Sequence, residues 1–175
     1  TCADVLPDRA DEQALKHRVP KACSVEELLD DPNIDIVVNL TTPRVHSEVS
    51  LSILRAGKHL YSEKPLGTTR DEGLKILALA EDNGLRVGCA PDTFLGGGLQ
   101  TCRKLIDDGV IGEPIAATAS LTEKSDLHVP SDRAFSFGPG AGAMLDLGVY
   151  YLTALVNILG PIRWVTGMIS TPFPE

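Results

Sequence analysis

Residues 34–40 form a nearly continuous apolar run closed by Asn39, Thr41, Thr42 and Pro43, and no other stretch constrains the fold as tightly. Such a run, bounded by turn formers, predicts a strand of a parallel sheet buried on both faces. Val45, Val49, Ile53 and Leu54 then keep helical spacing until Gly57 stops the helix. His59, Leu60 and Tyr61 predict a short strand, and Thr68 or Thr69 caps a helix carrying Leu74, Leu77 and Ala78. That helix stops at Asn83-Gly84, and residues 85–88 predict a further strand. Upstream, residues 1–4 read as the tail of a strand, and Pro7 opens a helix with Ala10, Ala14 and Leu15 as its apolar stripe. Ser24 with Glu27 is a capping-box signature for a short helix through Leu29. This β-α-β-α rhythm with short connections predicts a doubly wound parallel sheet with right-handed crossovers and helices on both faces.

Beyond Cys89 the rhythm changes. Residues 99–106 predict a helix stopped by Asp108-Gly109, and residues 115–121 a longer strand. Residues 123–139 show no periodicity, and connections that long inside a compact domain are usually functional or mobile. An apolar helix over residues 143–159, a Gly160-Pro161 turn and a strand near 164–168 follow. The boundary falls near residues 91–95, giving one domain over 1–92 and a second over 93–175.

Composition narrows the partners. A hydrophobic fraction of 43% with 23% charged residues is the balance of a core-forming chain. The net charge of −8, with Lys and Arg spread thinly, argues against nucleic acid and against an anionic membrane face. The longest apolar stretch, 145–159, is broken by Asp146, Thr153 and Asn157 and is too short to span a bilayer. The opening residues lack a basic segment followed by an apolar one, so no secretory signal is expected. Cys2, Cys23, Cys89 and Cys102 lack the C-x-x-C spacing of a zinc site and fit a reduced, cytoplasmic protein.

Three motifs, in order, resemble the Gfo/Idh/MocA family of NAD(P)-dependent oxidoreductases. The first is Thr42-Pro43 after an apolar strand, with His46 three residues on. The second is Gly57-Lys58-His59-Leu60-Tyr61-Ser62-Glu63-Lys64-Pro65-Leu66, close to the family's G-K-H-x-x-x-E-K-P-x. The third is Gly140-Ala141-Gly142-Ala143-Met144-Leu145-Asp146-Leu147-Gly148, close to G-G-G-x-L-x-D-x-G. The resemblance covers essentially the whole chain. It implies an α/β protein, a Rossmann-type sheet followed by the start of an α+β domain with a mostly antiparallel sheet. Family members open with a strand and a G-x-G-x-x-G turn, and these 175 residues contain no such turn. The expectation is therefore an incomplete sheet, an internal fragment of a roughly twice-longer enzyme. In the 3-2-1-4-5-6 order, loss of strand 1 parts strand 2 from strand 4.

Ligands of a doubly wound sheet bind off the carboxyl ends of its strands. Here those ends are Asp4, residues 39–43, Glu63-Lys64-Pro65, and Pro91-Asp92, which are expected to line one crevice. Asp4 is a candidate for the adenosine ribose hydroxyls, the alternative being a turn residue before Pro7. A carboxylate there repels a 2′-phosphate and favours NAD over NADP as cofactor. Asn39, Thr41, Thr42 and Pro43 resemble the family's cofactor-contacting loop, against simple strand termination. Glu63, Lys64 and Pro65 join them as cofactor-side candidates, and Lys64 is also the catalytic candidate, since in the family this Lys reaches substrate carbinol and nicotinamide, the alternative being a solvated Lys at a strand end. His46 joins the cofactor-side residues, with local packing as its plainer role. Asp146 and Tyr150, four apart on a helix, share a face; the resemblance implies catalytic partners, the alternatives being a first-turn carboxylate at the helix dipole and a core aromatic. The family usually has His where Tyr150 stands, so the identity of the acid/base departs from its pattern. Asp92 is a candidate substrate contact or a helix cap, and His128 a substitute for the absent histidine or a loop residue. No metal-ligand spacing occurs.

The resemblance implies hydride transfer between nicotinamide and a secondary alcohol or carbonyl of a sugar, cyclitol or similar polyol. It leaves open a redox-neutral NAD-using glycosidase or lyase, and an inactive dinucleotide-binding sensor. A homo-oligomer is expected from the family. The 175 residues in isolation are expected to bind NAD poorly and to be inactive.

Overall fold

The computed structural model describes residues 1–122 and 142–170. These divide into two compact units, the first holding residues 1–91 and 142–149, the second 92–122 and 150–170.

The first unit runs β1 (Cys2–Ala3), α1 (Pro7–His17), β2 (Ala22–Cys23), α2 (Val25–Asp30), β3 (Ile36–Asn39), α3 (Pro43–Arg55), β4 (His59–Ser62), α4 (Arg70–Asp82) and β5 (Val87–Cys89). Every pairing is parallel. The strands form two separate ladders, β1-β2 and β3-β4-β5. The break falls where the sequence reading puts it, between the strands equivalent to 2 and 4 of a doubly wound sheet.

The helix starts follow their caps. Pro7 and Pro43 sit in the first turns of α1 and α3, where a missing N–H costs no intrahelical bond. Ser24 and Glu27 close a capping box on α2, the Glu27 N–H donating to Ser24 Oγ at 3.1 Å. Thr69, rather than Thr68, caps α4 in a second box with Glu72. Gly57, at φ +75°, takes the left-handed turn that ends α3 and feeds β4.

The core lies between the β3-β4-β5 ladder and helices α3 and α4. Val37 and Leu60 come from the sheet, Ile53 and Leu54 from α3, and Ile76 and Ala80 from α4. Each large side chain so buried contributes about 1.5–3 kcal/mol of transfer free energy. Two sequence expectations change here. The buried stripe of α4 is Ile76 and Ala80, while Leu74 and Leu77 are about half exposed. Strand β3 alternates instead of being covered on both sides: Val37 and Asn39 are buried, but Ile36 and Val38 are 60% and 54% exposed. Alternation follows from the strand's two-residue period, since α3 and α4 cover only one face. On β5, Gly88 is required sterically, because a Cβ there would lie 2.6 Å from the Tyr61 ring.

The second unit contains a 3₁₀ turn (Asp92–Leu95), α5 (Gly97–Asp107) and α6 (Val149–Leu159), with only Val149 of α6 in the first unit. The Arg103 guanidinium grips the Asp107 carboxylate and donates to the carbonyls of Asn157 (2.6 Å) and Ile158 (3.1 Å), satisfying the end of α6. The strands expected over 115–121 and 164–168 are not formed among the described residues. A strand exists by pairing, and neither segment has a ladder partner there. The expected helix over 143–159 is wound differently at its start, with Met144–Gly148 a π-helical turn. Of the irregular stretch 123–139, nothing lies within the described residues. Among the described residues no helix is long and apolar enough to cross a membrane.

Glu72 contributes to the pH sensitivity of this scaffold. Hydrogen bonds from the Thr68 hydroxyl, and from the Thr68 and Thr69 N–H groups, hold its carboxyl below the usual range. A lowered folded-state value means stability that is complete above the unfolded carboxylate pKa and lost as pH falls through the folded one. Wild type should therefore melt above Glu72→Gln at neutral pH. The gap should close between about pH 5 and about pH 3, read by thermal melts across that window.

Candidate active site

Strands β3, β4 and β5 end in one row, with Asn39, Ser62 and Cys89 aligned by the parallel register. The ladder continues one step further, Glu63 N–H donating to Asn39 O (2.8 Å) and Ala90 N–H to Ser62 O (3.0 Å). The loop 40–42 and the segment Glu63-Lys64-Pro65 consequently leave the sheet at the same edge.

Lys64 is the chemical centre of that edge. Its side chain is 16% exposed, and its Nζ donates to the Asp146 carboxylate and, at 2.8 Å, to the Asp146 main-chain carbonyl. Asp146 lies in the π-helical turn, with its side chain 53% exposed. A largely buried amine is thus bound by a half-exposed carboxylate. Of the two lysines in the Gly57–Leu66 motif, only Lys64 is available for this. Lys58 is 5% exposed and donates to the carbonyls of Asp31 (2.6 Å) and Ile34 (2.9 Å), closing the turn between α2 and β3.

Lys64 is held from behind. Its own N–H donates to Glu63 Oε2 at 2.9 Å. Pro65, joined to it by a cis peptide bond, is buried, and the Pro65 carbonyl lies 2.9 Å from Nδ1 of the fully buried His46. The other ring nitrogen meets the Thr41 carbonyl. Asn39, 2% exposed, donates to His46 O (3.1 Å) and Ser50 Oγ (3.0 Å) and accepts from the Thr41 N–H (3.2 Å) and hydroxyl (2.7 Å). Asn39 and His46 therefore spend their polar atoms inside the protein. Thr41 and Thr42 are exposed and Pro43 partly so, the two threonines presenting hydroxyls at the sheet edge. Asp4, at the end of β1, is partly buried, and its Oδ1 accepts from Leu6 N–H at 2.8 Å, which fixes the carboxylate in the turn.

The remaining candidates lie in the second unit or outside the described residues. Tyr150 and Asp92 belong to the second unit, Tyr150 half-buried near the start of α6 and Asp92 exposed where the 3₁₀ turn opens. Asp146 lies in the π-helical turn and Tyr150 in α6, so the winding changes between them. His128 lies outside the described residues. Among the described residues no His, Cys, Asp and Glu group could hold a metal.

Two contributors escaped the sequence reading. Ser50, four residues after His46 on α3, is buried with it, and polar residues on an otherwise apolar stripe are the signal that could have found it. Cys89 lies at the same sheet edge, its Sγ 3.8 Å from Glu63 O.

Residues 2–90 match the model of an oxidoreductase family with an NAD-binding Rossmann fold, GFO_IDH_MocA, and residues 99–175 match a C-terminal domain of the same family. The chain belongs to the Gfo/Idh/MocA oxidoreductase family. A 1,5-anhydro-D-fructose reductase of Ensifer adhaerens is 34% identical over 136 residues, 78% of this chain and 41% of the relative. A trans-1,2-dihydrobenzene-1,2-diol dehydrogenase of Macaca fuscata fuscata is 33% identical over 153 residues, 87% of this chain and 45% of the relative. Among solved structures, KijD10, a 3-ketoreductase from Actinomadura kijaniata in complex with NADP and TDP-benzene, superimposes with a TM-score of 0.74. It is 30% identical over 90% of this chain and 48% of its own. The chain spans under half the length of these Gfo/Idh/MocA relatives.

Burial raises the Cys89 thiol above its ordinary value, the neighbouring Glu63 charge adding to the effect, while Cys102 is exposed. Alkylation with iodoacetamide at about pH 8 should modify Cys102 roughly tenfold faster than Cys89, as peptide mass spectrometry would report.

Proposed function

We propose that this chain carries the catalytic lysine of an NAD(P)-dependent oxidoreductase acting on a CH–OH group or its carbonyl. The observation that carries the reading is the Lys64–Asp146 pair at the carboxyl edge of a parallel ladder. The partner class is a sugar, cyclitol or similar polyol, a choice supported by relatives named for an anhydrofructose and for a diol.

The sheet edge fits a dinucleotide. Thr42 is an exposed threonine where three parallel strands end, Thr41 beside it is fixed by Asn39, and the amine of Lys64 stands at the same edge. Asp4 ends β1 with a carboxylate suited to ribose hydroxyls, which favours NAD, with NADP the other form the fold accepts. Bound there, the cofactor supplies the hydride chemistry. The chain supplies alignment and charge. Lys64 donates to the reacting oxygen and stabilises negative charge as it develops there. Asp146 orients that amine and accepts from a substrate hydroxyl. Tyr150 stands where the family usually has His and is assigned the proton transfer, which a phenol performs near neutral pH only beside a cation. Asp92 and His128 are assigned to substrate contact. Residues 1–92 form the dinucleotide-binding part and 93–175 the substrate part of a cytoplasmic homo-oligomer.

The test is spectrophotometric, with the full-length protein that carries these residues, NAD or NADP, and a panel of polyols and ketoses followed by nicotinamide absorbance. Net reduced cofactor should accumulate with one of the polyols. Lys64→Ala should lower kcat/KM by on the order of a thousandfold and Tyr150→Phe by roughly a hundredfold. Full activity in Lys64→Ala would remove the basis of the reading.

A further inference from the structure

We infer that His46 is a positioning residue, a buried tie that fixes the Lys64 amine by holding the Pro65 and Thr41 carbonyls on one ring. The inference rests on the reading of Lys64 as catalytic and concerns what keeps that lysine in place.

Three observations carry it. His46 is completely buried, so its polar atoms have no exchange with solvent and need protein partners. Its two ring nitrogens face the carbonyls of Pro65 (2.9 Å for Nδ1) and Thr41, one from each segment that leaves the sheet edge. Carbonyl oxygens only accept, and a neutral imidazole has a single N–H, so one of the two contacts is a donated hydrogen bond and the tautomer decides which. Finally, the backbone that carries the ring is anchored: Asn39 Nδ2 donates to the His46 main-chain carbonyl, and Asn39 Oδ1 accepts from Thr41 N–H and hydroxyl.

The consequence is mechanical. Thr41 is held at its N–H and hydroxyl by Asn39, and its carbonyl lies against the His46 ring, so the loop before α3 is confined on both sides. Pro65 follows Lys64 directly, and its carbonyl lies 2.9 Å from Nδ1 of a ring seated on the core-facing side of α3. Movement of that ring would carry both the lysine and the exposed threonine loop. The residue touches neither substrate nor cofactor in this role; it acts through the segments it ties. A volume-filling core residue would serve packing equally well, and the two directed carbonyl contacts are what distinguish a tie from a filler.

Amine labelling separates the two. The full chain is treated with a limiting amine-acylating reagent, and modification of Lys64 is quantified by peptide mass spectrometry against the exposed Lys104. His46→Phe fills the space without a donor and should raise Lys64 labelling by about fivefold, the scale of one lost buried hydrogen bond, with Lys104 unchanged. His46→Gln keeps an amide donor and should return labelling to within about twofold of wild type. If His46→Phe does not fold by circular dichroism, His46→Asn replaces it, since the shorter amide keeps polarity without reaching both carbonyls. Unchanged Lys64 labelling in a folded Phe or Asn variant overturns the proposal, as does loss of folding in both, which would make His46 a plain core residue. The readout involves no turnover, so a failed catalytic assignment of Lys64 would appear only in the polyol assay.

Discussion

Parallel register is the constraint from which the rest of the first unit follows. Because Asn39, Ser62 and Cys89 share one row, whatever succeeds each strand emerges at a common edge, however far apart the residues lie in the chain. The apolar contacts of Ile53, Leu54 and Ile76 against Val37 and Leu60 hold the strands in that row. A one-residue slip would turn Leu60 outward and bring Tyr61 into the core, so the burial pattern itself enforces the alignment.

Above that apolar floor the protein becomes polar without becoming wet. Asn39, His46, Ser50 and Ser62 are all buried at the end of the ladder nearest the candidate site. Except for the Ser62 hydroxyl, which has no partner among the described residues, their side-chain polar groups are engaged. Directed bonds in a low-dielectric setting specify one geometry where an apolar core would accept several. That is a suitable foundation for an amine whose usefulness depends on where it points.

Much of this was legible in the amino-acid sequence because short-range rules produced it. Prolines and capping boxes set the helix starts, Gly57 set the end of α3, and the motif residues Lys64 and Asp146, 82 positions apart, do meet. What could not be read depends on neighbours. The run 34–40 is apolar at nearly every position, so it cannot announce that only one of its faces is covered among the described residues. The segment 115–121 has strand composition, yet pairing is a property of two segments. The pattern around Asp146 promised a regular helix, and π winding depends on how the turn closes rather than on residue preferences. His46 is the instructive case, since a histidine near a helix start reads as a filler until both of its nitrogens have been traced to their carbonyls.

Gly88 and the phenol ring lying across it make two positions on adjacent strands inherit each other's fate. Any side chain at 88 needs the space that Tyr61 occupies, so drift at one site is admissible only after the other has shrunk. Homologues carrying alanine at the first position should hold a small residue at the second. The order of those two changes along a lineage should never be reversed.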